Sequence, residues 1–456
     1  MLFPLFTAAG ARGRAGGWLG ALLLLALLSS CSKTQTLTAL FQKTTPHEDY
    51  ARALDRAGLG EAALGQRWQA AADQALRDSL VVALPVLETG FFRPDQPTAA
   101  SYRYQVQAGE LVHVRLTLAA GAASASRVFV DAFALAPGPR PALLKWAATD
   151  TTAAGTLDLS YRAAAAGQHL LRVQAELLAA GRYTLRLWRG PSLTTFPVHG
   201  KTDQAVGSFW GNPRDGGTRH HEGVDIFAPR GTPAVAAAAG IITRVDETKI
   251  GGRVVWLTET ATGQHLYYAH LDRQLVRAGQ QVRPGDTLGL VGNTGNARTT
   301  VPHLHFGIYQ GGRGAVDPWP FLHRADAVPA ALPAAAGEYL GRWVRVRSTR
   351  PTAFLGRGGV ALAATTPLRV LGQQRQQLRL EAPDGQRGYL ATRAVAVAQP
   401  LRRLALPAAV EIQAQPTALA AALAAWPAHT PVVVLGRAAG YALLRNLAGL
   451  EGWAKI

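Results

Sequence analysis

The spacing of hydrophobic and polar positions changes along the chain, and each change predicts a different kind of element. From His47 to about Leu84, apolar residues such as Leu54, Leu64, Trp68, Ala72, Leu76 and Leu80 recur at mostly helical spacing, with Gly58 and Gly60 as a break. Pro94 and Pro97 then punctuate a switch to period two. Val112, Val114, Leu116 and Leu118 alternate with His113, Arg115 and Thr117, and Tyr183, Leu185 and Leu187 alternate with Arg182, Thr184 and Arg186. Half-buried strands of this kind from about Ala99 to Phe196, separated by Gly and Pro turns, predict an antiparallel sandwich. Short strands are predicted next at Ala234 to Val245, Arg253 to Glu259, Gln264 to His270 and Leu304 to Tyr309, with a turn at Pro284-Gly285-Asp286.

The C-terminal part repeats itself. Thr366-Pro367-Leu368-Arg369-Val370-Leu371-Gly372 recurs as Thr430-Pro431-Val432-Val433-Val434-Leu435-Gly436, and Gly388-Tyr389 recurs at the same offset as Gly452-Trp453. A period of 64 residues fits two small β-barrels and is long for a solenoid unit. The chain thus divides into 1–30, a helical segment at 31–90, a β-sandwich module at 91–197, a strand-rich domain at 198–324, an Ala- and Pro-rich linker at 325–337, and repeats at 338–398 and 399–456. The expected fold class is mainly β.

Composition adds a compartment. Arg12 and Arg14 flank an apolar run from Trp18 to Leu28, and Leu28-Ser29-Ser30-Cys31 places small residues before the chain's single cysteine. The run is shorter than the about 20 residues that cross a bilayer as a helix, so it predicts an export signal. A lone cysteine makes no internal disulfide, and at this place it resembles the lipobox of bacterial lipoproteins, which implies lipidation at Cys31 and a membrane anchor at the cell envelope. The formal net charge of +18 comes from 41 arginines and six lysines. Such a surface suits anionic wall polymers or lipid head groups. Nucleic acid is disfavoured, because no basic stripe is interleaved with stacking aromatics and no zinc-finger spacing occurs.

The candidate chemistry lies in the strand-rich domain, where eight of the twelve histidines fall between His199 and His323. His221-Glu222-Gly223-Val224-Asp225 and His303-Leu304-His305 carry residue types that a catalytic zinc takes, and Tyr267-Tyr268-Ala269-His270 supplies a further imidazole. On a strand, His303 and His305 share one face while Leu304 and Phe306 take the other. His221 and Asp225 would lie about 13 Å apart on a straight strand, so the chain must curl between them, with Gly223 permitting the curl. Gly292-Asn293-Thr294-Gly295 lacks the ending of a phosphate loop and reads as a turn feeding the His303 strand.

H-x-x-x-D, a lone His in a Tyr-x-His-Leu-like strand, and H-x-H, in this order, resemble the zinc endopeptidases of the LytM and lysostaphin type that cut peptidoglycan cross-links. The resemblance covers about Val198 to Leu322. It implies a mainly antiparallel β core with an open groove, a Zn2+ cofactor held by His221, Asp225 and His305, and catalytic roles for His303 as general base and His270 as a hydrogen-bonding partner of the developing oxyanion. One departure is Gly307, where many relatives carry Glu. The sandwich is similar to modules that accompany secreted bacterial peptidases, and the two repeats resemble SH3-like domains, which commonly bind cell-wall peptides. The function implied is a lipid-anchored endopeptidase whose partner is peptidoglycan. The competing reading is a non-catalytic regulator or activator of other wall hydrolases.

Overall fold

The computed structural model describes residues 44–456 except 78–79, 95, 120–125, 136–140, 150–154, 325, 328–331, 333–336, 348–351 and 354–360. The predicted export signal and Cys31 lie outside the described residues, as does most of the Ala- and Pro-rich linker. The helical segment is two helices, Pro46–Arg56 and Ala63–Arg77, parted at the predicted glycines. The first starts on a reciprocal capping pair: the Glu48 amide donates to Thr45 Oγ1, and the Thr45 amide donates to the Glu48 carboxylate. The second helix docks through Trp68, which is 1% exposed and donates from its indole N–H to the Ala175 carbonyl. No helix among the described residues is long and apolar enough to cross a membrane.

The period-two segment forms the expected antiparallel sandwich. One sheet contains Val86–Phe92, Gly181–Gly190, Leu111–Leu118 and Thr156–Arg162; the other contains Ala99–Val106, Gly167–Ala175, Val128–Ala134 and Ala142–Ala148. The alternating apolar residues Val112, Val114, Leu116, Leu185 and Leu187 meet Tyr102, Val130, Leu171 and Val173 across the core. His113 stacks on Trp188, and buried His169 meets the Tyr161 hydroxyl at 2.8 Å, so both are structural.

The first sheet does not end with the sandwich. Its strand Val86–Phe92 pairs antiparallel with Leu368–Gln373 of the first C-terminal repeat, so one nine-stranded sheet runs through both. A buried polar cluster seals the junction. Glu88, fully buried, accepts from Arg379 at 2.8 Å, from the Tyr102 hydroxyl at 2.8 Å and from the Tyr389 hydroxyl at 2.9 Å. Gly372 sits where any Cβ would strike the Glu88 carboxylate, which is one reason the repeat carries glycine there. The repeat itself is real in three dimensions: Leu368–Gln373 and Pro431–Ala438 each lose register between equivalent positions, Val370/Gly372 and Val434/Gly436. Tyr389 and Trp453, the matching aromatic residues of the repeat, are 7% and 3% exposed, because both face the packed side of their sheets.

The strand-rich domain is built on a ten-stranded antiparallel sheet whose central strands are Gly252–Glu259, His265–Gln274, His303–Gln310 and Val224–Phe227. The predicted strand Ala234 to Val245 is two, Pro233–Val235 and Gly240–Thr248, because the first pairs with Thr287–Val291 and the second with Gly252–Glu259. Leu304, Phe306 and Ile308 point into a dry core, which leaves His303, His305, Gly307 and Tyr309 on the open face. The domain is tied to the sandwich by a bidentate pair between Arg162 and Glu259, at 3.1 and 3.2 Å.

Candidate metal centre and groove

Pairing of Val224–Phe227 with His303–Gln310 sets Asp225 directly opposite His305 and Phe227 opposite His303. Two ligand candidates thus arrive from neighbouring strands with no loop between them. His221 precedes its strand and reaches over it, and the 13 Å of a straight chain shrinks to 3.0 Å between His221 Nε2 and Asp225 Oδ1. Gly223 makes this possible in a way the sequence reading does not foresee. Its φ is ordinary, but a Cβ there would lie 2.6 Å from the Phe306 carbonyl and 2.7 Å from the His305 ring, so the position is reserved for close approach.

The result is a compact triangle. His305 Nδ1 is 2.9 Å from His221 Nε2 and 3.1 Å from Asp225 Oδ1. One ion can meet all three atoms at once, and two imidazole nitrogens with one carboxylate oxygen is a donor set suited to zinc. The residues around the triangle fix its protonation. His221 Nδ1 donates to the Phe209 carbonyl at 2.9 Å, which leaves the Nε2 lone pair facing the triangle. Burial alone would raise the Asp225 carboxyl, but the adjoining His221 and His305 imidazoles hold it well below the usual carboxylate range. Burial also pushes the His305 imidazole down, towards the neutral form that a ligand needs. Arg214 completes the set, donating to Asp225 Oδ2 at 2.7 Å and to Ser208 Oγ at 2.6 Å.

His303 and His270 stand beside the triangle, with ring centroids 5.1 Å apart. His303 Nε2 is 3.9 Å from Asp225 Oδ1, while its Nδ1 donates to the Val301 carbonyl at 2.8 Å. His270 likewise donates from Nδ1 to the Thr294 carbonyl, at 2.9 Å. A carbonyl can only accept, so in its neutral form each ring presents a bare Nε2 to the groove. His270 has φ +62°, a left-handed conformation rare for a residue with a Cβ; its amide is held by the Gly251 carbonyl at 2.7 Å. Burial and the neighbouring His305 and His303 push its imidazole down to about 4. His220 is exposed on the preceding hairpin and outside the triangle.

The structure therefore brings together all five sequence-predicted side chains of the centre, His221, Asp225, His270, His303 and His305. Arg214, Ser208 and the carbonyls of Phe209, Thr294 and Val301 escape sequence reading. Backbone carbonyls carry no residue-type signal, and Arg214 is one arginine among many. The open groove around the triangle holds about 580 Å³, and the described residues that line it all belong to this domain, between Ser208 and Tyr309.

Residues 219–318 match the family described as Peptidase family M23. The chain is 36% identical to an L-Ala–D-Glu endopeptidase of Bacillus subtilis over 138 residues, covering 28% of this chain and 42% of the relative. It is 38% identical to a peptidoglycan DD-endopeptidase of Vibrio cholerae over 95 residues, 21% of each chain. A solved catalytic domain of lysostaphin from Staphylococcus simulans is 34% identical, aligned over 25% of this chain and 89% of that one, with a TM-score of 0.23. The chain spans less than half the length of these two curated relatives. Matched by family and by the order of its histidine motifs, the segment 219–318 is a peptidase family M23 domain of the LytM and lysostaphin kind.

Proposed function

We propose that the protein is a zinc-dependent endopeptidase that hydrolyses peptide cross-links of bacterial peptidoglycan. The observation that carries this reading is the convergence of His221 Nε2, Asp225 Oδ1 and His305 Nδ1 within 3.1 Å of one another at the floor of an open groove. Zinc held by these residues supplies Lewis-acid chemistry, polarising a carbonyl and making water more acidic. His303 is the general base: its bare Nε2 takes the proton of the attacking water and returns it to the leaving amine. His270 presents the same bare Nε2, so its neutral ring accepts a hydrogen bond from the attacking water and orients it beside His303. The activator reading is not favoured, since all three ligand positions are filled by ligand residues that converge.

The resemblance around Cys31 supports a lipid-anchored enzyme of the cell envelope. Cys31→Ala is then expected to release it from the membrane fraction, and retention in the pellet after a high-salt wash would remove that part of the reading. The activity is tested by digesting purified sacculi with and without a chelator and identifying released fragments by mass spectrometry. Cleavage that survives metal removal, or no cleavage by the zinc-loaded protein, would overturn the proposal.

A further inference from the structure

Residues 292–301 join the strand Thr287–Val291 to the strand that carries His303 and His305. Two carbonyl oxygens of this loop set the groove imidazoles: Thr294 accepts from His270 Nδ1 and Val301 accepts from His303 Nδ1. Burial does little to hold the second of them in place. From Asn296 to Val301 only Ala297 is buried, and Val301 is 68% exposed. The His303 amide, donating to the Gly292 carbonyl at 3.0 Å, closes the base of the loop but does not reach across it.

Asn293 spans the loop from within. Its Nδ2 donates to the Thr300 carbonyl at 3.1 Å and to the Arg298 carbonyl at 3.2 Å, which ties the residue before Thr294 to the residue before Val301. Its Oδ1 accepts from Arg230, and the other arm of that guanidinium donates to Asp272 Oδ1 at 2.6 Å. Arg230 follows the strand Val224–Phe227 that bears Asp225, and Asp272 stands two residues beyond His270 on its strand. One planar fork thus fastens the loop to the strand of His270 and to the chain that leaves Asp225. Asn293, Arg230 and Asp272 are not among the described residues that line the groove, so their effect on the site passes through the residues they hold.

We infer that Asn293 is a positioning residue for both groove imidazoles, keeping the Thr294 and Val301 carbonyls on the Nδ1 atoms of His270 and His303, with Arg230 and Asp272 as its anchor. The inference rests on the proposed function only for the work that the imidazoles do. An amide suits the position because it must donate twice and accept once. Aspartate only accepts, so Asn293→Asp keeps the bond from Arg230 while cutting both ties across the loop. Without those ties the carbonyls leave the two rings, and each neutral ring also populates its Nε2–H form. A proton acceptor facing the groove then becomes a donor.

The zinc-loaded protein labelled with 15N-histidine reports the tautomers through its ring-nitrogen shifts, with His270→Ala and His303→Ala assigning the signals. At about pH 8, above the ordinary imidazole value, both rings of the wild type are expected as Nδ1–H. Asn293→Ala and Asn293→Asp should each show mixed tautomers at unchanged zinc content. On a cross-linked wall peptide, KM should stay within about twofold while kcat falls by about 10- to 100-fold, the scale of a misplaced reacting group. If Asn293→Ala does not fold, Asn293→Asp carries the test, since it keeps the side-chain volume and the Arg230 bond. Wild-type tautomers in Asn293→Asp overturn the inference whatever its kcat, as do mixed tautomers with an unchanged kcat. Loss of zinc in Asn293→Asp overturns it too, because the residue would then support the domain at large. Mixed tautomers in the variants of a protein whose wild type cleaves no wall peptide would leave the positioning role standing and remove the endopeptidase reading.

Discussion

Arg214 donates to Asp225 Oδ2 at 2.7 Å while Asp225 Oδ1 faces His221 and His305 at 3.0 and 3.1 Å, so the two oxygens of one carboxylate have separate duties. The guanidinium holds the carboxylate in rotation and reserves one oxygen for the metal side. Arg214→Met should therefore weaken zinc binding by about 10- to 100-fold, the usual scale for losing a group that orients a ligand. Competition with a chromophoric chelator measures this. Unchanged zinc affinity would show that the strand pairing alone positions Asp225.

His305 and His303 share a strand face but differ in which nitrogen points inward. His305→Ala should lose both metal and activity. His303→Ala should keep near-stoichiometric zinc while turnover falls by about 100- to 10,000-fold, the scale for a general base. Metal content by plasma emission, read beside sacculus digestion, separates the roles, and zinc loss in His303→Ala with retention in His305→Ala would invert them.

Gly223→Ala places a methyl 2.6 Å from a backbone carbonyl and 2.7 Å from the His305 ring. Neither neighbour is a free chain end, so the strand pair must separate or His305 must turn. The expected outcome is a destabilisation of about 1–3 kcal/mol in chemical denaturation together with weakened zinc binding. A variant with wild-type stability and zinc affinity would contradict the close-approach role.

The Glu88 cluster joins the sandwich to the first repeat. Arg379 is 2% exposed, and Arg379→Met leaves a buried carboxylate without its cation, a loss on the order of 3–5 kcal/mol. Glu88→Gln in the same chain should restore part of that loss. Denaturation of the single and double variants gives the coupling directly. Purely additive effects would mean the two side chains do not act as a pair.

Acid should loosen the sandwich. Burial pushes His169 down to about 4, against about 6.5 in an unfolded chain, so the folded state favours the neutral ring. Its contribution is complete above about pH 6.5, declines as the pH falls because only the unfolded chain takes the proton, and is lost by about pH 4. His169→Gln should flatten the slope of stability between these values. A slope identical to wild type would mean that other groups dominate this window.

The elements that follow a single period were legible in the sequence: the sandwich strands, the helix break at Gly58 to Gly60, and the alternation that separates His303 and His305 from Leu304 and Phe306. The residues of the triangle were legible through the resemblance that the order of the histidine motifs carries. What decides their protonation was not. The tautomers of His221, His270 and His303 depend on carbonyls of Phe209, Thr294 and Val301, and the left-handed backbone of His270 has no residue-type signature. The burial of Tyr389 also escaped, because its partner Glu88 lies far away in the chain and in another module.

The sheet that passes from the sandwich into the first repeat has a mechanical consequence. Domains joined by a flexible tether search a sphere, and their mutual encounter depends on tether length. Here the strands Val86–Phe92 and Leu368–Gln373 are zipped edge to edge, and Arg162 and Glu259 clamp the sandwich to the peptidase domain. Anything gripped by the first repeat is thereby presented to the groove at one bearing, as by a jig. Lengthening the connection between Asp326 and Gly337 with inserted glycines and serines should leave that bearing unchanged.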